Sequence, residues 1–84
     1  METEARLKEL VSVLVSAIVD DMDAVAIEET TDGDGLVFIV SVAPDDMGRV
    51  IGKKGRIISA LRTVIRAAAG DTSVNIEISE APES

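Results

Sequence analysis

The sequence predicts an α+β domain with the element order α-β-β-α-α-β, in which a three-stranded sheet has its helices packed on one face. Two segments repeat their apolar residues at helical spacing, and three shorter segments show the alternation or the β-branched content of strands. The 84 residues, 46% of them apolar, are enough for one core. We therefore expect one domain over residues 1–84, with a polar and loose tail over residues 80–84.

The first helix is predicted over residues 4–19. Its apolar face follows a helical repeat and comprises Leu7, Leu10, Val11, Leu14 and Ile18. Thr3 is a candidate N-cap, and the acidic run 20–23 ends the periodicity. Val13 and Val19 lie outside this stripe, so the helix has more apolar surface than one buried face requires. That surplus indicates either an interface or a small core that uses it.

A β-hairpin is predicted next. Residues 24–31 alternate in strand fashion, and the turn 32–35 leads into a second strand over residues 36–43. The first five positions of this second strand are all apolar, which predicts a strand that is central in the sheet or covered on both faces. Pro44 ends it, because proline cannot continue the ladder of backbone hydrogen bonds.

Two helices separated by two glycines follow the hairpin. Asp45 or Asp46 can cap a short helix that reaches toward Val50, and a longer helix is predicted over residues 56–69, closed by Gly70 in a left-handed cap. At about 100° per residue, the apolar face of the longer helix comprises Ile57, Ile58, Leu61, Val64, Ile65 and Ala68. Its cations share one exposed side, which comprises Arg56, Arg62 and Arg66.

A last, half-buried strand is predicted over residues 73–79. Three aliphatic residues, Val74, Ile76 and Ile78, alternate there with Asn75 and Glu77. No internal repeat, linker or low-complexity segment interrupts the pattern.

Composition argues against several classes of function. The chain has no cysteine and no histidine, which removes the Cys/His zinc site, the thiol nucleophile and the imidazole base. Its adjacent carboxylate pairs rarely converge on one substrate, so we expect no enzyme, no metal and no cofactor. No apolar run approaches the roughly 20 residues of a membrane span, and the N-terminus lacks the order of a secretory signal, so we expect a cytoplasmic protein without membrane contact.

The charges are segregated along the chain, although the formal net charge is -8. Residues 47–70 contain six of the eight cations and none of the sixteen carboxylates. This window therefore has a charge of +6, and the rest of the chain has a charge of -14. With a Debye length of about 8 Å, a ligand docked on the window would respond mostly to its near neighbours. A solvated helix face is the alternative explanation of such a run.

The window contains the segment V-I-G-K-K-G-R-I-I, with its glycines at positions 52 and 55. Turns alone can account for two such glycines. Here, however, aliphatic residues on both sides anchor the turn in the core, and its backbone N–H groups lie at a helix N-terminus, where an anion is favoured. The spacing fits neither a Walker A loop nor a dinucleotide fingerprint. A phosphate group is the ligand that this segment favours.

The stretch APDDMGRVIGKKGRIISALRTVIRAAA, together with the element order, resembles type II KH domains, and nearly the whole chain is similar to the KhpA family of small bacterial single-domain KH proteins. The resemblance implies single-stranded RNA binding by a loop of Gly52, Lys53, Lys54 and Gly55, in an RNA chaperone or post-transcriptional regulator. It also implies a homodimer or a heterodimer with the larger KH protein KhpB (Jag, also called EloR).

We expect the RNA-binding residues to be Arg49, Ile51, Gly52, Lys53, Lys54, Gly55, Arg56 and Ile58. Val50, Ile51, Ile57 or Ile58 would form the apolar floor of a groove for bases, although the core is the commoner place for each of them. Since the chain has no Trp and no Tyr, we expect modest affinity and weak sequence preference. The alternative is a protein-interaction module of KH fold, in which RNA contact is incidental.

Overall fold

A computed structural model describes residues 2–82 and has the predicted order of elements. The helices and strands are α1 (Glu2–Ser16), β1 (Ala26–Asp32), β2 (Gly35–Val42), α2 (Met47–Ile51), α3 (Arg56–Ala69) and β3 (Val74–Glu80). Short 3₁₀ turns precede β1, α2 and α3, at Met22–Ala24, Pro44–Asp46 and Lys53–Gly55. The α+β prediction is therefore confirmed.

The three strands form one mixed sheet in the order β1-β2-β3. β1 pairs antiparallel with β2 through a two-residue turn, and β3 pairs parallel with β2. Gly33 in that turn has φ +63°, a conformation that glycine adopts without strain. The central position of β2 explains its continuous apolar sequence, because the strand has a neighbour on each side.

The core lies between the sheet and the helices. Alternate residues of β2 point into it, namely Leu36, Phe38, Val40 and Val42. They meet one face of α1 and one face of α3, whose buried members are Leu7, Val11, Val15, Ile58, Leu61, Ile65 and Ala69. α2 contributes Val50, which is fully buried. The helices therefore share one face of the sheet, as predicted.

The apolar face of α1 differs from the predicted one. Val15 and Val19 are buried, whereas Leu10, Leu14 and Ile18 are only half-buried. Val19 therefore belongs to the core and not to surplus surface, while Val13 is 60% exposed. The helix ends at Ser16, but hydrogen bonds of helical type continue for three more residues. The Val19 N–H, for example, donates to the Val15 carbonyl at 3.1 Å. Helix 1 also starts before Thr3, so that residue is not its N-cap.

The apolar face of α3 is also rotated from the prediction. Val64 is 46% exposed and Ile57 is 39% exposed, and Ala69 is buried in place of Ala68. Arg62 does not share the exposed side of the other cations, because its Nη2 donates to the Ile76 carbonyl at 3.1 Å. The rotation follows from packing against both α1 and β3, and it leaves apolar side chains in a groove between α1 and α3.

The segment over residues 80–84 begins at the end of the last strand. Glu80 ends β3, and the Ala81 N–H donates to the Val42 carbonyl at 2.8 Å. The last two residues of the predicted loose tail, 83 and 84, lie outside the described residues. None of the helices in residues 2–82 combines the length and the apolar character that crossing a bilayer would require.

Candidate nucleic-acid interface

The segment between α2 and α3 is a tight loop built from left-handed backbone conformations. Gly52 has φ 78° and ψ 171°, Lys54 has φ 58° and ψ 25°, and Gly55 has φ 73° and ψ 19°. Lys54 is the one residue other than glycine with positive φ in the described chain. Such conformations are unfavourable for side chains and concentrate at functional sites. The loop is therefore defined by its backbone geometry.

The two loop glycines are required for different reasons. A Cβ on Gly52 would lie 2.3 Å from Cγ1 of Ile57 and 2.9 Å from its backbone nitrogen, so no side chain fits. A Cβ on Gly55 would have its nearest neighbour, Cγ2 of Ile58, at 4.0 Å. Gly55 is thus required by its φ alone, whereas Gly52 is required by both φ and space.

Only part of the loop backbone is available to a ligand. The Gly52 N–H donates to the Gly48 carbonyl at 2.9 Å, and the Gly55 N–H donates to the Gly52 carbonyl at 3.1 Å. The Arg56 N–H donates to the carbonyl of Lys53. These three N–H groups are therefore used by the turn itself and are not available to an anion. Within residues 2–82, the N–H groups of Lys53 and Lys54 have no hydrogen-bond acceptor, so these two can meet an anion.

The cations of the window separate into two groups. Lys53, Lys54, Arg56 and Arg66 are exposed, and the described part of the chain gives them no ion pair or hydrogen bond. Arg62 is held by the Ile76 carbonyl. Arg49 forms an ion pair with Asp20, with Nη2 at 3.0 Å from Oδ2, and its Nε lies 3.7 Å from Oδ1 of Asp46. Three of the free cations lie in the loop or directly after it.

Asp46 holds the loop-bearing helix in place. The expected helix cap does not form, and the buried carboxylate instead accepts the N–H groups of Asp20 and Asp21 at 3.1 and 3.0 Å. These bonds, the Asp21 bond first, lower the pKa of Asp46, and the nearby Arg49 charge lowers it further. The cluster ties the segment that follows α1 to the start of α2. Sequence patterns gave no signal for it, because its partners are 25 and 26 residues apart.

The aliphatic residues around the loop take two roles. Val50 is fully buried and Ile58 is 7% exposed, so both anchor the loop in the core. Only a small edge of the Ile58 side chain is therefore exposed for contact with RNA. Ile51 is 37% exposed and Ile57 is 39% exposed. They can supply an apolar surface beside the loop.

A family model described as the KH domain of KhpA/KhpB matches residues 8–79, which include every element that builds the loop. The chain belongs to the KhpA/KhpB KH-domain family. The matched range contains the loop, so its glycines, its lysines and their buried anchors all lie within the matched KH domain.

Curated relatives of this KH domain cover most of its length. A protein of Halalkalibacterium halodurans is 51% identical over 63 residues, which are 75% of this chain and 83% of the relative. One from Clostridium acetobutylicum is 46% identical over 63 residues, 75% of this chain and 84% of the relative. One from Listeria monocytogenes is 38% identical over 76 residues, 88% of this chain and all of the relative. Each has the name RNA-binding protein KhpA. A comparison with solved structures found no match.

Proposed function

We propose that this KH domain binds single-stranded cytoplasmic RNA through residues 52–55, and that it acts by binding, as an RNA chaperone or post-transcriptional regulator, without catalysis. The observation that carries the proposal is the loop itself. Two unbonded backbone N–H groups, those of Lys53 and Lys54, lie on a turn whose flanks are fixed in the core, with two free ammonium groups beside them. The relatives named as RNA-binding proteins support the same ligand.

In this proposal the loop contacts the phosphates of the RNA, and its flanks add charge and contacts to bases. The Lys53 and Lys54 amides hold a phosphate, and their side chains and that of Arg56 add charge around it. Gly52 and Gly55 have no side chains, so the RNA strand can approach the protein backbone of the loop closely. Ile51 and the exposed edge of Ile58 contact bases, and Arg49 contributes once it leaves Asp20.

The charge arrangement gives a quantitative expectation. Three or four free cations can each neutralise one phosphate, and each contact with a single strand contributes about 0.7 to the salt dependence. The plot of log K against log salt should therefore have a slope of about -2 to -3. Since the chain has no Trp and no Tyr, it lacks the aromatic stacking that contributes about 1 to 3 kcal/mol per base in other single-strand binders. We expect modest affinity.

The double variant Lys53→Asp, Lys54→Asp tests the proposal. It should abolish binding of a labelled single-stranded RNA in a filter-binding titration, while circular dichroism shows an unchanged fold, because both side chains are exposed and the glycines remain. The matched control is Arg6→Asp, Lys8→Asp, which makes the same charge change at exposed positions of α1. Equal loss in both variants would mean that net charge and not the loop governs binding. Full binding by the folded loop variant would refute the proposal.

A second function, protein association, is favoured by the groove between α1 and α3. Its lining is aliphatic and comprises Leu14, Ile18, Ile57, Ala60, Leu61 and Val64. Val64 is half-exposed, so the groove leaves more apolar surface in contact with solvent than a small core requires. We propose a second copy of the chain as occupant, with KhpB (Jag/EloR) as the alternative partner. Val64→Glu should convert a dimer to a monomer in light scattering, and a wild-type protein that is monomeric even with KhpB added would contradict this function.

A further inference from the structure

The two edges of the sheet differ in how the chain closes them. At β3, the Ile76 N–H donates to Oδ1 of Asn75 at 3.0 Å, and the Ile76 carbonyl accepts Nη2 of Arg62 at 3.1 Å. Side chains therefore close part of that edge. At β1, no hydrogen bond within residues 2–82 reaches the backbone groups that face away from β2. This edge is open to a further strand.

The register of the hairpin determines which groups of β1 face outward. Asp32 pairs with Gly35 across the two-residue turn, and every second residue from such a pair bonds to the neighbouring strand of an antiparallel ladder. The residues in between direct their N–H and C=O groups away from the sheet, and these are Ile27, Glu29 and Thr31. A strand added at this edge would therefore meet a row of alternating donors and acceptors.

A groove lies beside the same edge, between β1 and α1. It has a volume of about 420 Å³, and it is lined by Ala5, Lys8, Glu9, Ser12, Val25 and Ile27. Val25 and Ile27 are only partly buried against the core. The next two positions on the same face of β1, Glu29 and Thr31, are exposed. An added strand would therefore place every second side chain in a groove that α1 already bounds on one side.

The charge of this edge decides which kind of strand fits it. Residues 20–34 contain seven carboxylates and no cation, and those in β1 are Glu28, Glu29 and Asp32. A second copy of β1 would place carboxylates against carboxylates, and like charges destabilise a strand pair. The phosphates of RNA are repelled by the same residues. The groove adds one charge of each sign, Lys8 and Glu9. The fitting occupant is therefore a strand with Lys or Arg and alternating aliphatic residues.

We propose that β1 binds an extended, basic segment of another protein, which adds a fourth strand to the sheet. The outward groups of Ile27, Glu29 and Thr31 pair with the backbone of this segment, as in other cases of strand addition. Its aliphatic side chains enter the groove beside α1, and its cations meet the carboxylates of β1. β2 separates β1 from β3, against which α2 and α3 pack. The protein can therefore hold this segment and RNA at the same time.

A heptapeptide of alternating lysine and valine is the probe, and backbone amide hydrogen exchange of the full chain, followed by NMR, is the measurement. Binding should slow the exchange of the Ile27, Glu29 and Thr31 amides about five-fold or more, because these groups gain acceptors. The amides of Glu28 and Thr30 should change less, since they already bond to β2. This alternation distinguishes strand addition from attraction between opposite charges, which would not select every second amide.

Thr31→Pro removes one outward N–H without changing the charge. Proline is tolerated on an edge strand where its missing N–H would face solvent, and circular dichroism checks the fold. The variant should bind the peptide about two- to ten-fold more weakly in isothermal titration calorimetry, because one hydrogen bond is lost. Thr31→Val is the matched control, because it keeps the N–H and should bind as the wild type does. If Thr31→Pro is unfolded, the alternating protection in the wild type decides.

Several results would overturn the inference. Peptide binding without alternating protection would show attraction between charges alone, and equal binding by the folded Thr31→Pro and Thr31→Val variants would show that the edge is not used. Shifts centred on Leu14 and Val64 would place the peptide in the groove between α1 and α3. Protection of the β1 amides that grows with protein concentration in the absence of peptide would identify a second copy of the chain as the occupant. The same protection pattern with a single-stranded RNA octamer would identify RNA.

Discussion

Replacing the two loop glycines by alanine should have very different consequences for stability. At Gly52 the new methyl group would lie 2.3 Å from Cγ1 of Ile57, in a backbone conformation that alanine avoids. Backbone strain of about 1 to 3 kcal/mol and overpacking of about 1 to 3 kcal/mol combine to about 2 to 6 kcal/mol. At Gly55 only the left-handed φ matters, at about 1 to 2 kcal/mol. Since a chain of this length has about 4 to 13 kcal/mol of stability, Gly52→Ala should lose a large part of it, and about two to three times as much as Gly55→Ala.

Urea denaturation followed by far-UV circular dichroism measures this difference. The chain has one phenylalanine and no Trp or Tyr, so intrinsic fluorescence is of little use. Gly55→Asn is the matched control, because asparagine tolerates the left-handed region, and its stability should lie close to that of the wild type. Equal midpoints for Gly52→Ala and Gly55→Ala would refute the argument that Ile57 closes the space at Gly52.

Three further variants probe the loop and its support. Lys54→Asn should stabilise the fold by about 0.5 to 1 kcal/mol in urea, because it relieves a positive φ, and should weaken RNA binding by removing a charge; a loss of stability would contradict the strain. Asp46→Asn should lower the midpoint of thermal unfolding at neutral pH. The folded-state pKa of Asp46 lies below its ordinary value of 3.8, so the carboxylate contributes fully to stability above that value and loses its contribution as the pH falls through the folded-state pKa. The difference in unfolding midpoint between Asp46→Asn and the wild type should therefore disappear in acid. A difference that stays constant with pH would argue against a role of the carboxylate. Asp20→Asn should release Arg49 and tighten RNA binding about two- to five-fold, whereas Asp21→Asn, with the same charge change, should have a smaller effect.

The order of elements could be read from the sequence because local patterns determine it. The alternation in β3 and the helical repeat in α3 identify each element without knowledge of its neighbours. The exact buried face depends on those neighbours. Val19 is covered because the chain continues to pack after α1 ends, and Val64 is exposed because α3 turns toward β3. The periodicity of the sequence predicts an apolar stripe on a helix, but it does not determine how far the helix is rotated about its own axis when it packs on the sheet.

The candidate site was predictable in its residue types but not in its connections. The acid-free window and the paired glycines indicated an anion at residues 52–55. Two sets of contacts join segments that are far apart in sequence. Arg49 forms an ion pair with Asp20, and the Asp46 carboxylate accepts hydrogen bonds from the N–H groups of residues 20 and 21. Likewise, the bond from Arg62 to Ile76 depends on the packing of α3 beside β3. Tertiary contacts therefore decide which cations remain free for RNA.

Titration of the isotopically labelled protein with a single-stranded RNA octamer, followed by NMR of the backbone amides, tests the RNA-binding proposal most directly. The loop mechanism predicts that the largest shifts belong to Lys53 and Lys54, whose N–H groups have no acceptor within residues 2–82. Smaller shifts should extend to residues 48–51 and 56–58. Shifts centred on the outer face of the sheet or on the groove between α1 and α3, with the two lysine amides unmoved, would contradict it.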